Sequence, residues 1–225
     1  IGESHNKHHM SLYGYHRNTT PRLDALAKQG EIIVMDEAIA HHTHTYPVLE
    51  LSLSSANLYN QRRFKNSHTI INLLNAADYK TTWLSNQIKI GAWDNHVSLI
   101  AMGCDSEYFL NKNIGTTFTS MSYDEIVLNN LKSIIEKEDA RNHVIFIHIM
   151  GSHGNYGDRW PENREKFQNP TKGQFGNFNT WIVDDYDNSI YYNDSILTEI
   201  IAVLNKAPQS KKSLVYFADH SEEVS

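Results

Sequence analysis

Two short apolar runs constrain this chain more than anything else in it: Val144-Ile145-Phe146-Ile147, and Leu214 to Ala218 after Ser213. Runs of this length between polar residues fit strands buried on both faces, the mark of a parallel sheet covered by helices. The intervening sequence has the period of helices. Thr20 is placed as an N-cap with Pro21 as the first helical residue and Gly30 as the stop. Helical spacing recurs from Thr45 to Leu53, over residues 69–77, over 126–135 and over 190–204. Strands are expected at Ile1-Gly2 (the end of one), at 32–35 and at 80–84. Alternating helix and strand predict an α/β fold with a mostly parallel central sheet. Residues 151–179, rich in Gly, Asn, Pro and aromatics, form one long loop, a length usually tied to function.

Composition narrows the class. With 225 residues, 40% hydrophobic and 20% charged, the chain suits one globular domain, and neither a repeat nor a linker divides it. A formal charge of -6 without a run of like charge argues against a nucleic-acid partner. The single cysteine, Cys104, precludes an internal disulfide. No apolar stretch approaches the ~20 residues that cross a bilayer. The start at Ile1-Gly2-Glu3, without an initiator Met, predicts a piece of a larger protein.

Thirteen histidines are unusual, and they cluster at His5, His8, His9 and His16 and again at His41, His42 and His44. In open parallel sheets ligands gather at the carboxyl ends of strands. Glu3, the pair Asp219-His220, His148 and His153 all follow expected strands, and Thr45 opens a helix downstream of another. Two carboxylates, imidazoles and a hydroxyl make a donor set that zinc accepts. A metal would lower the pKa of the threonine hydroxyl and stabilise charge on a phosphoryl oxygen. Each residue alone also has a plainer reading. Glu3, Asp219 and Thr45 would serve equally as helix caps, and His153 as loop chemistry beside Gly151 and Gly154.

Four blocks in register carry a resemblance: IGESHNKHHMSLYGYHRNTTPRLDAL at the start, HIMGSHG (His148 to Gly154), YDNSIYYND (Tyr186 to Asp194) and YFADH (Tyr216 to His220). Together they resemble the catalytic domain of bacterial phosphoethanolamine transferases, in the alkaline phosphatase and sulfatase superfamily. The resemblance implies a three-layer α/β/α sandwich like that of alkaline phosphatase. Residues 1–225 would be the soluble catalytic domain, truncated at both ends and without the family's transmembrane domain. It implies zinc as cofactor, with Glu3, Thr45, Asp219 and His220 as ligands. Thr45 would be the nucleophile, being the second threonine of Thr43-His44-Thr45, with Thr43 as the alternative. His153 would bind phosphoethanolamine with His148 nearby, and Asn86 and Gln87 would contact substrate. The implied reaction takes phosphoethanolamine from phosphatidylethanolamine to lipid A, lipopolysaccharide core or a similar envelope acceptor. The implied setting is a Gram-negative inner membrane, reached through the missing N-terminal helices, with the catalytic domain in the periplasm.

The chain departs from the family in three ways. Ser221 replaces the usual Gly after Asp-His, where a positive φ would strain a side chain. The chain stops at Ser225, before a further active-site histidine that many relatives place downstream. Having no cysteine near Thr45, the chain resembles the cysteine-poor branch that modifies the lipopolysaccharide core. The alternatives are a sulfatase or phosphodiesterase of the same superfamily, or a non-catalytic metal-binding remnant; Cys104 lacks the Cys-x-Pro-x-Arg context of a sulfatase nucleophile.

Overall fold

The strand Lys80–Ile88 (β1) lies at the centre of a sheet, with Ser106–Asn111 (β2) parallel on one side and His143–His148 (β3) parallel on the other. A computed structural model gives this arrangement, and it describes residues 1–90, 95–112, 122–137, 139–168, 178–209 and 211–224. β1 is buried from Thr81 to Gln87, and the two-residue period sends its large side chains to opposite faces. Leu84 packs with Val127, Leu128, Leu131 and Ile134 of the helix Ile126–Ile135, and with Tyr192, Ile196 and Ile200 of the helix Phe178–Lys206. Trp83 packs on the other face with Leu49, Ile71 and Val97. Those come from the helices Thr45–Ser52, Ile70–Ala76 and Asn95–Ala101. With Pro21–Lys28 as α1, the helices named are α2 (Thr45–Ser52), α3 (Ile70–Ala76), α4 (Asn95–Ala101), α5 (Ile126–Ile135) and α6 (Phe178–Lys206). Helices cover both faces, so the α/β/α sandwich expected from the sequence is the observed architecture.

Beyond β3, residues 1–3 run alongside residues 217–219. Ile149 N donates to Ile1 O (3.2 Å), Gly2 N to Phe217 O (2.8 Å) and Asp219 N to Gly2 O (3.1 Å). Gly2 is required there, because a Cβ would lie 2.1 Å from Tyr216 Oη. These bonds bring Glu3 and Asp219 to the same end of the sheet as His148.

Several elements differ from expectation. β1 continues past residue 84 to Ile88, because Ser85, Asn86 and Gln87 are polar yet buried. α6 starts at Phe178 rather than near 190, and its first half buries Asp184, Asp187 and Asn188 alongside the apolar Tyr186 and Ile190, which obscures the helical period. Residues 32–35 are not a strand, and Ile33 and Met35 are exposed. Residues 213–218 are not a buried strand either. The segment meets its neighbour only near Ala218, in a single parallel bridge, and Val215 is 81% exposed. β3 itself is half-buried except at His148. Of the long loop expected over 151–179, residues 169–177 lie outside the described residues, and 178 and 179 belong to α6.

Thr20 precedes α1 as expected, but its hydroxyl is used elsewhere, taking Leu12 N (2.9 Å) and donating to Asp24 Oδ1 (3.0 Å). The first-turn amides of α1 are satisfied instead by Asp194 of α6, which accepts Arg22 N (3.0 Å) and Leu23 N (2.9 Å). A capping carboxylate contributes about 1–2 kcal/mol. Asp194→Ala is therefore expected to lower unfolding free energy by about that much, read as a lower urea midpoint at unchanged m-value.

Candidate active site

Glu3, Asp219 and His220 present ligand atoms that all lie within 4.8 Å of one another. All three are buried. His220 Nε2 lies 3.1 Å from Glu3 Oε1 and 3.5 Å from Asp219 Oδ2. Asp219 Oδ1 accepts from Ser4 N (3.1 Å) and His220 N (2.7 Å), whereas Oδ2 is buried and accepts no hydrogen bond among the described residues. An orphaned carboxylate oxygen facing an imidazole and a second carboxylate is what a cation site requires, and the donor set suits zinc. Thr45 Oγ donates to Glu3 Oε2 at 3.0 Å. Thr45 is the first residue of α2 and His44 holds the N-cap position, so the threonine is not the cap. Thr43 is exposed, its hydroxyl 3.0 Å from His44 Nδ1.

The charges here are strongly perturbed. Burial pushes the Glu3 carboxyl up to about 7, against the hydrogen bond from His220 that favours its ionised form. Burial works to lower the His220 pKa, but the Glu3 hydrogen bond and the Asp219 charge outweigh it and raise it to about 9. Without a metal, the imidazolium itself supplies the positive charge between the two carboxylates.

Backbone placement explains how Glu3 is held. Ser4 has φ 57, in the left-handed region that costs a non-glycine residue about 1 kcal/mol, and it is fully buried. Its amide takes Asp219, its hydroxyl lies 2.9 Å from Glu3 Oε1 and 3.2 Å from Glu222 Oε1, and its carbonyl accepts from Tyr186 Oη (2.6 Å). Behind Glu3, Ser152 N donates to its carbonyl (2.9 Å). Gly151, with φ +58, presses so close that a Cβ would sit 2.5 Å from Glu3 O. Asp124 holds this turn by accepting Met150 N (2.7 Å) and Gly151 N (2.9 Å).

The residues expected from the sequence fall into two groups. Glu3, Thr45, Asp219 and His220 come together. His153 is exposed nearby, its pKa lowered first by the protein around it and then by Arg159, and its ring feels the charges of Glu222 and Asp219. His148, Asn86 and Gln87 are buried instead. Asn86 Nδ2 donates to Asp124 Oδ1 (2.9 Å) and Ser122 O (3.0 Å), and Gln87 Nε2 to Ile149 O (3.0 Å). Their amides therefore brace the turn behind Glu3. His148 packs edge-on against Trp83, and neither ring nitrogen has a hydrogen-bond partner among the described residues. Ser221 is not among the residues of positive φ, so the strain expected there is absent; it falls on Ser4. Sequence reasoning also missed Ser4, Asp124, Tyr186 and buried His5, whose Nδ1 meets Tyr216 Oη. All but Asp124 stand inside or beside the quoted blocks.

Two outcomes test this geometry. Gly151→Ala adds both a strained φ and a clash with Glu3 backbone, so it should cost roughly 2–4 kcal/mol by denaturant titration. The second outcome concerns acid. Burial lowers the His148 pKa to about 3, below its unfolded value, so the folded protein keeps the ring neutral. That stability is present above about pH 6.5 and is lost as the pH falls toward 3, where only the unfolded chain takes up the proton. Relative to His148→Phe, the wild type should lose about 1.4 kcal/mol per pH unit below 6.5; parallel pH profiles would refute this.

The sequence model of the sulfatase family matches residues 1–225. Phosphoethanolamine transferase EptC of Escherichia coli K12 is 33% identical over 228 residues, which cover 100% of this chain and 39% of that protein. Phosphoethanolamine transferase CptA of Salmonella typhimurium is 32% identical over 233 residues, with the same coverage of both chains. The chain thus spans about two-fifths of the length of the curated relatives it matches. The crystal structure of the C-terminal periplasmic domain of Escherichia coli EptC in complex with Zn superposes with a TM-score of 0.87 at 33% identity, covering 100% of this chain and 63% of that one. Matched by the family model from end to end, the chain belongs to the sulfatase family.

Proposed function

We propose that this chain carries the catalytic centre of a phosphoethanolamine transferase, with Thr45 as the group that takes the phosphoethanolamine. The observation that carries the reading is the 3.0 Å hydrogen bond from Thr45 Oγ to Glu3 Oε2, made at the edge of the Glu3, Asp219 and His220 cluster. The names of the relatives support the reaction class, and the zinc complex of the Escherichia coli domain supports the metal.

In this reading the donor is phosphatidylethanolamine. Thr45 Oγ attacks its phosphorus, the bond to the diacylglycerol oxygen breaks, and that oxygen leaves with a proton as diacylglycerol. Glu3 Oε2 accepts the hydrogen bond of the attacking hydroxyl and so fixes the direction of its lone pair. His153, exposed nearby, would contact the phosphoethanolamine group. In the second half, a hydroxyl of the acceptor attacks the same phosphorus and returns Thr45 to its free form. Lipid A or lipopolysaccharide core is the acceptor class. When bound by Glu3, Asp219, His220 and Thr45, zinc supplies a lowered hydroxyl pKa and a counter-charge for the phosphoryl oxygens. His220 must be neutral to ligate, so taking up the cation releases the proton held there.

The setting carried over from the relatives is the periplasmic side of a Gram-negative inner membrane. No helix among the described residues is long and apolar enough to cross a membrane.

Intact mass spectrometry after incubation with zinc and phosphatidylethanolamine vesicles tests the reading. The expected result is one phosphoethanolamine adduct on Thr45, retained in Thr43→Ala and lost in Thr45→Ala, with diacylglycerol release down at least about 10³-fold. An undiminished adduct in Thr45→Ala would sink the assignment.

A further inference from the structure

The loop between α2 and α3 carries charge opposite to the rest of the molecule. Residues 51–77 contain Arg62, Arg63, Lys65 and His68 and no aspartate or glutamate, in a chain of formal charge -6. Among the described residues, none of Arg62, Arg63 and Lys65 forms an ion pair. The loop is nonetheless well built. Its base is closed by an antiparallel bridge between Ser54 and Thr69 and by Ser55 N donating to His68 O (2.9 Å). Phe64 roots it in the Trp83 cluster.

The tip is ordered by two asparagines that bond across it. Asn57 Oδ1 accepts the amides of Tyr59 and Asn60 (both 2.9 Å), and Asn57 N donates to Asn60 Oδ1 (3.1 Å). Asn60 Nδ2 then ties the turn to Ser55 O (2.8 Å). This frame holds up an apolar pair left open among the described residues: Leu58 is 67% exposed and Tyr59 94%. An ordered turn that displays Leu and Tyr ahead of three free cations has its conformational entropy cost already met before any partner arrives.

We propose that this loop is a docking surface for an anionic phospholipid bilayer. A tyrosine is suited to the headgroup level, with its ring among the upper acyl carbons and its hydroxyl in the polar layer. Leu58 enters beside it, and Arg62, Arg63 and Lys65 meet lipid phosphates from behind. Glu50 and Asp78 are the nearest acidic residues along the chain on either side, so sequence repulsion from the lipid charge is confined to the loop's flanks. The proposal is independent of the chemistry assigned to Thr45.

Co-sedimentation of the whole chain with phosphatidylcholine vesicles, with and without phosphatidylglycerol, tests it. Binding is expected only when phosphatidylglycerol is present, and it should weaken as salt rises. Each removed cation should cost about fivefold, so the triple variant Arg62→Gln, Arg63→Gln, Lys65→Gln should partition about a hundredfold less. The pair Leu58→Ser, Tyr59→Ser should also partition at least about tenfold less, at an unchanged melting temperature. Wild type left in the supernatant at low salt overturns the proposal and points to an acidic protein partner. Equal binding to neutral vesicles, or a triple variant that sediments like wild type, overturns it as well.

Discussion

Buried carboxylates cannot be left without partners, and α6 carries a set of them through the middle of this molecule. Asp187, fully buried, accepts from His9 Nδ1 (2.8 Å), Tyr15 Oη (3.0 Å) and Arg17 Nη1 (2.9 Å), and Asp184 takes Arg17 as well (2.6 Å). Beside them on the helix, Tyr186 Oη donates to Ser4 O (2.6 Å), and Ser189 Oγ donates to Ser152 Oγ (2.7 Å). Asn188 accepts the amides of Lys166 and Phe167 (both 2.8 Å) and returns a bond to Phe167 O. Each of these bonds fixes a segment with little regular structure of its own. The path from α6 to the metal-type cluster is two steps long, through Ser4 or through Ser152 to Glu3. Geometry at Glu3 is therefore set by a helix whose side chains never enter the cluster.

The same contacts explain why the sequence blocks occur together. Tyr15 and Arg17 of the first block are the partners of Asp184 and Asp187; the Thr-Thr-Pro helix start is capped by Asp194 from the third. Sequence patterns revealed the helices with apolar periods well, and α5 matches over its whole length. They failed where burial is polar. Ser85-Asn86-Gln87 extends β1 into the interior, and the first half of α6 mixes buried Asp184, Asp187 and Asn188 with its apolar Ile182, Tyr186 and Ile190. They failed in the opposite sense at residues 32–35 and 213–218, where apolar residues remain exposed. Glu3 and Asp219 are nonetheless brought together by the single bridge between Gly2 and Ala218, the point where the two expected strand ends meet. The bracing bonds of Asn86 and Gln87 were not legible, because an amide at a strand end reads the same whatever it bonds to.

The electrostatics of the cluster follow from its burial. Two carboxylates beside one imidazole carry excess negative charge in a space that water does not reach, and the pKa values of Glu3 and His220 both rise in response. Either a proton or a cation would relieve that excess, so the two would compete for the same cluster. The exposed loop beyond α2 shows the reverse imbalance, cationic and open to solvent, at the far side of the helix that Thr45 begins.

Ser4 has one hydroxyl proton and two carboxylates within reach, Glu3 at 2.9 Å and Glu222 at 3.2 Å. It can serve only one of them at a time. If Glu3 Oε1 is drawn into other bonding, the proton turns to Glu222 and no buried donor is stranded. Glu222 is thus a reserve acceptor, kept in place by Asn6 Nδ2 on its carbonyl (2.9 Å). The left-handed backbone at Ser4 is what suspends the hydroxyl between the two, so a conformation that costs stability lets Glu3 change partners without leaving that donor unpaired.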